Sequence, residues 1–148
     1  MKRLLVICLL FVSLATDCFA QQSAIDTDLL SICYTLWKDS AFGRDPNRTE
    51  RAAWILPGDL SKKYMVLRWR RSGGRNTEFW HGAIPVHALA QVHTHTVMAD
   101  PRPASMDIDL SKRIGISVYT VSGSGIWVAL PSGQILQVKD STWYKELN

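Results

Sequence analysis

The stretch from Gln91 to Asp107, QVHTHTVMADPRPASMD, constrains this chain more than any other. It reads as a strand carrying His93 and His95, then a loop broken by Pro101 and Pro103, then a helix from Met106 to Arg113 capped by Ser105 or Ala104. Residues two apart in a strand share a face, so His93 and His95 can direct their imidazoles at one point. The loop can return a carboxylate to that point. Asp107 is preferred because the helix start fixes its backbone; Asp109 is the fallback, and Asp100 sits in the Pro-rich turn. His87 has the same parity as His93, but six residues of extended chain set it about 20 Å away.

Two nitrogens, one oxygen and an open fourth position make the ligand set of a catalytic zinc site. Iron and manganese are the alternatives. An isolated His-x-His is by itself a weak signal, and its bland reading is an exposed pair with no metal. Chemistry at such a centre also needs a group to take a proton from water and pass it on, work suited to a carboxylate. Of the glutamates, Glu146 is in the tail and Glu78 follows a hairpin turn. Glu50 opens a strand running into Arg-Ala-Ala-Trp-Ile-Leu, where small residues leave room for a cleft, so it is the candidate acid/base. A surface residue after a loop is the competing reading of Glu50.

The first twenty residues read as an export signal. Lys2 and Arg3 precede an apolar run from Leu4 to Ala15, and Cys18-Phe19-Ala20 supplies a cleavage point before Gln21. That run is shorter than the roughly 20 residues needed to span a bilayer. The expected product is a periplasmic or secreted domain, 21–148, with no membrane span. A lipid anchor at Cys18 is the less favoured reading, because Asp17 precedes it. The whole chain carries a formal charge of +4, too little to argue for nucleic acid. Cys33 is the one thiol outside the signal, so no internal disulfide is expected, and it falls on the apolar face of a helix.

That helix is expected from about Ser23 to Lys38, since Ile25, Leu29, Ile32, Cys33 and Leu36 recur at helical spacing. Asn47-Arg-Thr formally matches a glycosylation sequon. Strands follow at Thr49 to Leu56 and at Tyr64 to Arg71, where Met65, Leu67 and Trp69 face one way and Tyr64, Val66, Arg68 and Arg70 the other. A hairpin turn at 72–76 leads to a return strand from Thr77 to His81. Arg68, Arg70, Arg71 and Arg75 are read as a solvated face, with contact to an anionic substrate or envelope polymer as the alternative. After the second helix, Ile116 to Val121, Ile126 to Leu130 and Gln134 to Val138 read as three short strands, with Trp127, Leu130, Ile135 and Leu136 as core. The pair Trp143-Tyr144 is placed to dock back. Together these predict an α+β domain: a single mixed sheet, an N-terminal helix and a helix after the histidine strand.

Glu50 at the start of an apolar strand, His93-x-His95, a loop with proline, and Asp107 opening a helix resemble the JAMM (MPN/JAB) metallopeptidases, whose motif runs Glu, then His-x-His, then Ser-x-x-Asp. The loop Ala99-Asp-Pro-Arg-Pro, running into Ser-Met-Asp-Ile, is similar to that of the bacterial members, and the resemblance covers roughly Thr49 to Val138. It implies a JAMM/MPN-like, cytidine-deaminase-like α/β architecture. It also implies a zinc-dependent hydrolase of amide or isopeptide bonds in a peptide or protein substrate, with His93, His95 and Asp107 as ligands and Glu50 as acid/base. Two positions depart from the pattern. Ala104 stands where the family has its serine, leaving Ser105 as the nearest hydroxyl to hold an oxyanion, and Thr96 stands where many members have proline. The alternative the resemblance carries is a catalytically inactive protein-binding module, with or without metal. A metal-handling protein fits less well, because the four histidines are scattered.

Overall fold

The computed structural model describes residues 25–45, 49–70 and 80–147. The export segment, the Asn47 sequon, the turn at 72–76 with Arg71 and Arg75, Glu78, and most of the return strand expected from Thr77 lie outside them; Trp80 and His81, within them, are not in a strand.

Helix α1, Thr27–Asp39, begins where Asp26 stops being extended and accepts the Leu29 N–H at 2.9 Å through its carboxylate. The same carboxylate accepts from the Tyr64 hydroxyl at 2.5 Å and from the Lys63 ammonium at 2.9 Å, tying the cap to the sheet. The expected stripe is buried, except that Ile32 is only half-buried and Leu30 and Trp37 join it. Cys33 lies at 0 % exposure, and burial pushes its thiol far up, so it is an inert core residue.

The strands β1 (Ala52–Pro57), β2 (Tyr64–Arg68), β3 (Ala90–Thr94), β4 (Ser117–Ser122), β5 (Gly125–Ala129) and β6 (Ile135–Lys139) form one six-stranded sheet in the order β2-β1-β3-β4-β5-β6. The pairings are antiparallel except β3 with β4, which is parallel. A parallel pair needs a crossover, and helix α2, Ser105–Ile114, is that crossover. The fold is therefore α+β around a single mixed sheet, with one helix before it and one after the histidine strand.

The two sheet faces are covered differently. Alternation sends Ala53, Ile55, Ala90, Val92, Val121 and Ile126 to the face under α1, where Trp143 closes the core. Trp143 is fully buried and donates its indole N–H to the Ser122 carbonyl at 2.9 Å, so the tail docks as expected. Tyr64 and Val66 pack against this core, whereas Met65 and Leu67 on the other side of β2 are exposed. Arg68 is half in solvent and also ion-paired with Asp39 at the end of α1, so it is more than a solvated charge. The expected core of the last strands is corrected. Trp127, Leu130, Ile135 and Leu136 are only half-buried, while Ile126, Val128 and Ala129 are buried. The reason is topological: β6 is an edge strand, and the ten-residue α2 is too short to cover it.

The opposite face is covered at one end by α2, over β4 and β5, and at the other by an indole cluster. Trp54 and Trp69 have ring centroids 5.5 Å apart, and Trp80 sits 6.1 and 5.8 Å from them. Between helix and cluster the sheet is open. Among the described residues no helix is long and apolar enough to cross a membrane.

Candidate metal centre

The opening is a cleft of about 660 Å³. Its floor is Ala52, Gln91 and His93, its indole wall Trp69 and Trp80, and its helix wall Met106, Asp107, Leu110 and Arg113. It lies at the carboxyl end of β3, where the chain leaves the sheet and α2 returns. This is the end of parallel strands at which open sheets generally hold ligands.

His93 and His95 do share a face, and their Nε2 atoms approach to 3.0 Å. Asp107 Oδ2 lies 3.6 Å from His93 Nε2. One ligand atom from each of the three residues falls within 4.8 Å of the others, so His93, His95 and Asp107 can hold a metal ion. Asp107 is the third residue of α2, and its Oδ2 also accepts the Ala104 N–H at 2.8 Å, which fixes the carboxylate against the helix start.

The remaining ring nitrogens each have a partner of their own. His93 Nδ1 lies 3.1 Å from Gln91 Oε1, and His95 Nδ1–H donates to the Asp100 carbonyl at 2.5 Å. With the proton of each ring on Nδ1, both Nε2 atoms present lone pairs to each other at 3.0 Å, with a carboxylate oxygen beside them. Three acceptors converging without a donor repel unless a cation lies between them. A tetrahedral ion with bonds of about 2.0–2.1 Å would set its nitrogens roughly 3.3 Å apart, close to what is seen. A proton is a poorer solution. Burial pushes the His93 imidazole below its ordinary value; Asp107 opposes that and His95 adds to it, so a second proton on this ring is disfavoured.

Glu50 joins this group through strand register. In the β1–β3 ladder Ala52 lies opposite His93, and the same register continued by two residues sets Glu50 opposite His95. The pairing does continue: Thr94 N–H donates to Arg51 O at 2.8 Å, and Arg51 N–H donates to Thr94 Oγ1 at 2.9 Å. Glu50 is half-buried and lines the cleft, and the methyl of Ala52 leaves the floor open beside it. The surface reading of Glu50 does not describe this position.

The other candidates supply no ligand atom to this group. His87 and Asp109 are exposed. Asp100 contributes its carbonyl rather than its carboxylate, which Arg102 binds through two bonds of 3.0 and 2.7 Å. Ser105 is the exposed first residue of α2 and does not line the cleft, whereas Ala104 does.

Several residues around the site were not anticipated. Gln91 orients His93, and its place two residues upstream on the same face is a signal that parity alone could have shown. Thr120, fully buried on β4, donates its hydroxyl to the Pro101 carbonyl at 2.7 Å and pins the loop over the sheet. Gly43 accepts the Val97 N–H at 3.1 Å from a turn far away in sequence. Nothing local marks Thr120 or Gly43. No family model matches this chain, and no curated protein matches it by sequence.

Proposed function

We propose that the protein is an exported zinc-dependent hydrolase of amide bonds, of the JAMM kind. The observation that carries this reading is the convergence on one cleft of Glu50 from the approach to β1, His93 and His95 from β3, and Asp107 from α2. This is the set of roles the sequence resemblance implies, and a parallel β3-α2-β4 crossover is compatible with it. His93, His95 and Asp107 would hold the ion. Imidazole and carboxylate with an open position suit zinc, which when bound polarises a carbonyl and makes water available for attack at neutral pH. Gln91 and the Asp100 carbonyl hold the two rings with Nε2 facing inward. The Glu50 carboxylate takes the proton of the attacking water and returns it to the departing amine. The substrate is a peptide or protein met outside the cytoplasm, its backbone lying along the open cleft.

A second reading is favoured by Ala104. The helix starts on a methyl group, and Ser105 does not line the cleft, so neither position supplies a side-chain donor for an oxyanion there. Loss of such a donor typically lowers the rate 10²–10³-fold. On this reading the cleft binds a protein segment without cutting it. Metal analysis of the purified protein, followed by peptidase assays on wild type and Glu50→Gln, separates the two. The hydrolase reading expects bound zinc in both proteins and turnover in wild type at least about 10²-fold above the variant. Zinc-loaded wild type that cleaves nothing in a broad peptide library would leave the binding module.

A further inference from the structure

The cleft walls are unlike one another, and the difference selects a ligand. One wall is indole, with Trp69 and Trp80 tilted at 45° and Trp54 buried behind them. Facing it across the floor are Met106, two-thirds exposed, and Leu110. Apolar side chains that are half-buried in the indole wall and at Leu110, and exposed at Met106, favour a flat or bulky apolar group between the two walls, and methionine adapts to its shape.

Charge is distributed along the helix wall. Met106, Leu110 and Arg113 follow one another at intervals of four and three, on the stripe that also carries Asp107. Arg102 is neutralised by Asp100, and Lys112 is turned toward Gly133 on the β5–β6 connection. Arg113 lines the cleft, is exposed and makes no ion pair with any described residue. Six residues of helix separate it from Asp107, about 9 Å along the axis. An extended peptide rises about 3.3 Å per residue, so that distance matches about three residues.

We infer that the cleft accepts an extended peptide with a bulky apolar or aromatic side chain next to the backbone amide held over His93 and His95, and with an anionic group about three residues away against Arg113. The anion is an acidic side chain or a terminal carboxylate. The inference rests on the hydrolase reading only for which amide is the reacting one.

The test is binding of matched peptides to zinc-loaded Glu50→Gln protein, followed by intrinsic tryptophan fluorescence. The set varies one position between Phe and Ala, and the position three residues away, on either side, between Glu, Gln and Lys, with free and amidated C-termini to separate the two anions. Phe is expected to bind about tenfold or more tighter than Ala. Glu is expected to bind up to about fivefold tighter than Gln, less so at high salt, as for any exposed ion pair. Added in the same background, Arg113→Gln, a surface change that leaves folding alone, should remove the Glu preference and keep that for Phe. Trp69→Ala or, without touching the indole cluster, Met106→Ser should do the reverse. Equal binding of Glu and Lys peptides overturns the inference. So does a preference for Lys, which the indole faces acting on a cation would give, or a Glu preference that survives Arg113→Gln. No peptide binding at all also overturns it. Peptides bound with the expected preference but not cleaved by wild type sink the hydrolase reading alone, and peptides cleaved without preference sink this one alone.

Discussion

Gly43 stands directly behind His95: a Cβ on Gly43 would lie 3.0 Å from the His95 carbonyl oxygen and 3.3 Å from the Val97 nitrogen. The turn that brings it there is left-handed over three residues, with φ of 52° at Ala41, 58° at Phe42 and 73° at Gly43. Ala41 and Phe42 show that this backbone tolerates side chains where there is space. At Gly43 the objection is both conformation and contact. Gly43→Ala should therefore destabilise the fold by about 1–2 kcal/mol from the left-handed backbone alone. It should also shift His95 and weaken zinc binding. Thermal unfolding and a competitive zinc titration check the two effects separately. Wild-type zinc affinity in the variant would mean that the turn supports the fold and not the ligand.

The zinc prediction itself is thermodynamic. An ion that binds the folded chain alone stabilises it by about 2.7 kcal/mol at a hundred times its Kd. Adding zinc to metal-stripped protein should raise Tm by several degrees, and a chelator should reverse the rise. Asp107→Asn is the informative variant, because its amide oxygen can still accept the Ala104 N–H while the negative charge is gone. It should unfold near the wild-type apo temperature and gain much less from zinc. An equal zinc-induced rise in both proteins would remove Asp107 from the ligand set.

How much of this was visible in the chain depends on how local each signal is. The stripe on α1, the same-face histidines and the helix opening at Asp107 are periodic or capping patterns and are seen as expected, although α1 starts at Thr27, four residues later than its apolar spacing suggests, because Asp26 caps it. The parity of β2 was also correct, but parity does not say which side is buried; α1 covers Tyr64 and Val66, and Met65 and Leu67 are left outside. The last strands differ from their expected burial for a related reason. Leu136 and Ile135 look like core by composition, yet they lie on an edge strand that only the strand order reveals. Trp69 and Trp80 as a cleft wall, and Thr120 as a clamp on Pro101, depend on contacts between distant segments and leave no trace in a short window.

Asp26 gives the fold a pH dependence with a definite sign. Burial pushes its carboxyl up, but the Leu29 N–H, the Tyr64 hydroxyl and the Lys63 ammonium outweigh that and hold it below its ordinary value. A depressed carboxyl contributes stability that is complete above the unfolded value, near 4, and is lost as pH falls through the lower folded value. Asp26→Ala should therefore be less stable by about 0.5–2 kcal/mol at pH 7, the usual range for a lost N-cap. The gap should close progressively below pH 4. Urea unfolding of both proteins from pH 7 to pH 2.5 reads it, and a gap that stayed constant or widened with acid would contradict this account of the cap.

Ala104 offers a test in the opposite direction, by gain. It is extended at φ −74° and ψ 169°, the geometry of an N-cap, yet it has no side-chain oxygen; only the returning bond from Ala104 N–H to Asp107 is made. Ala104→Ser adds a hydroxyl at a position that is both the start of α2 and part of the cleft lining. As a cap it should accept the Asp107 N–H and stabilise the protein by about 0.5–2 kcal/mol. As a donor toward a developing oxyanion it should raise kcat by up to about 10²–10³-fold with little change in KM, since the bond strengthens only in the transition state. The two effects separate cleanly in unfolding and kinetic measurements. A stabilised Ala104→Ser protein with wild-type turnover would show that the new hydroxyl serves the helix alone, and that position 104 does not face the reacting carbonyl.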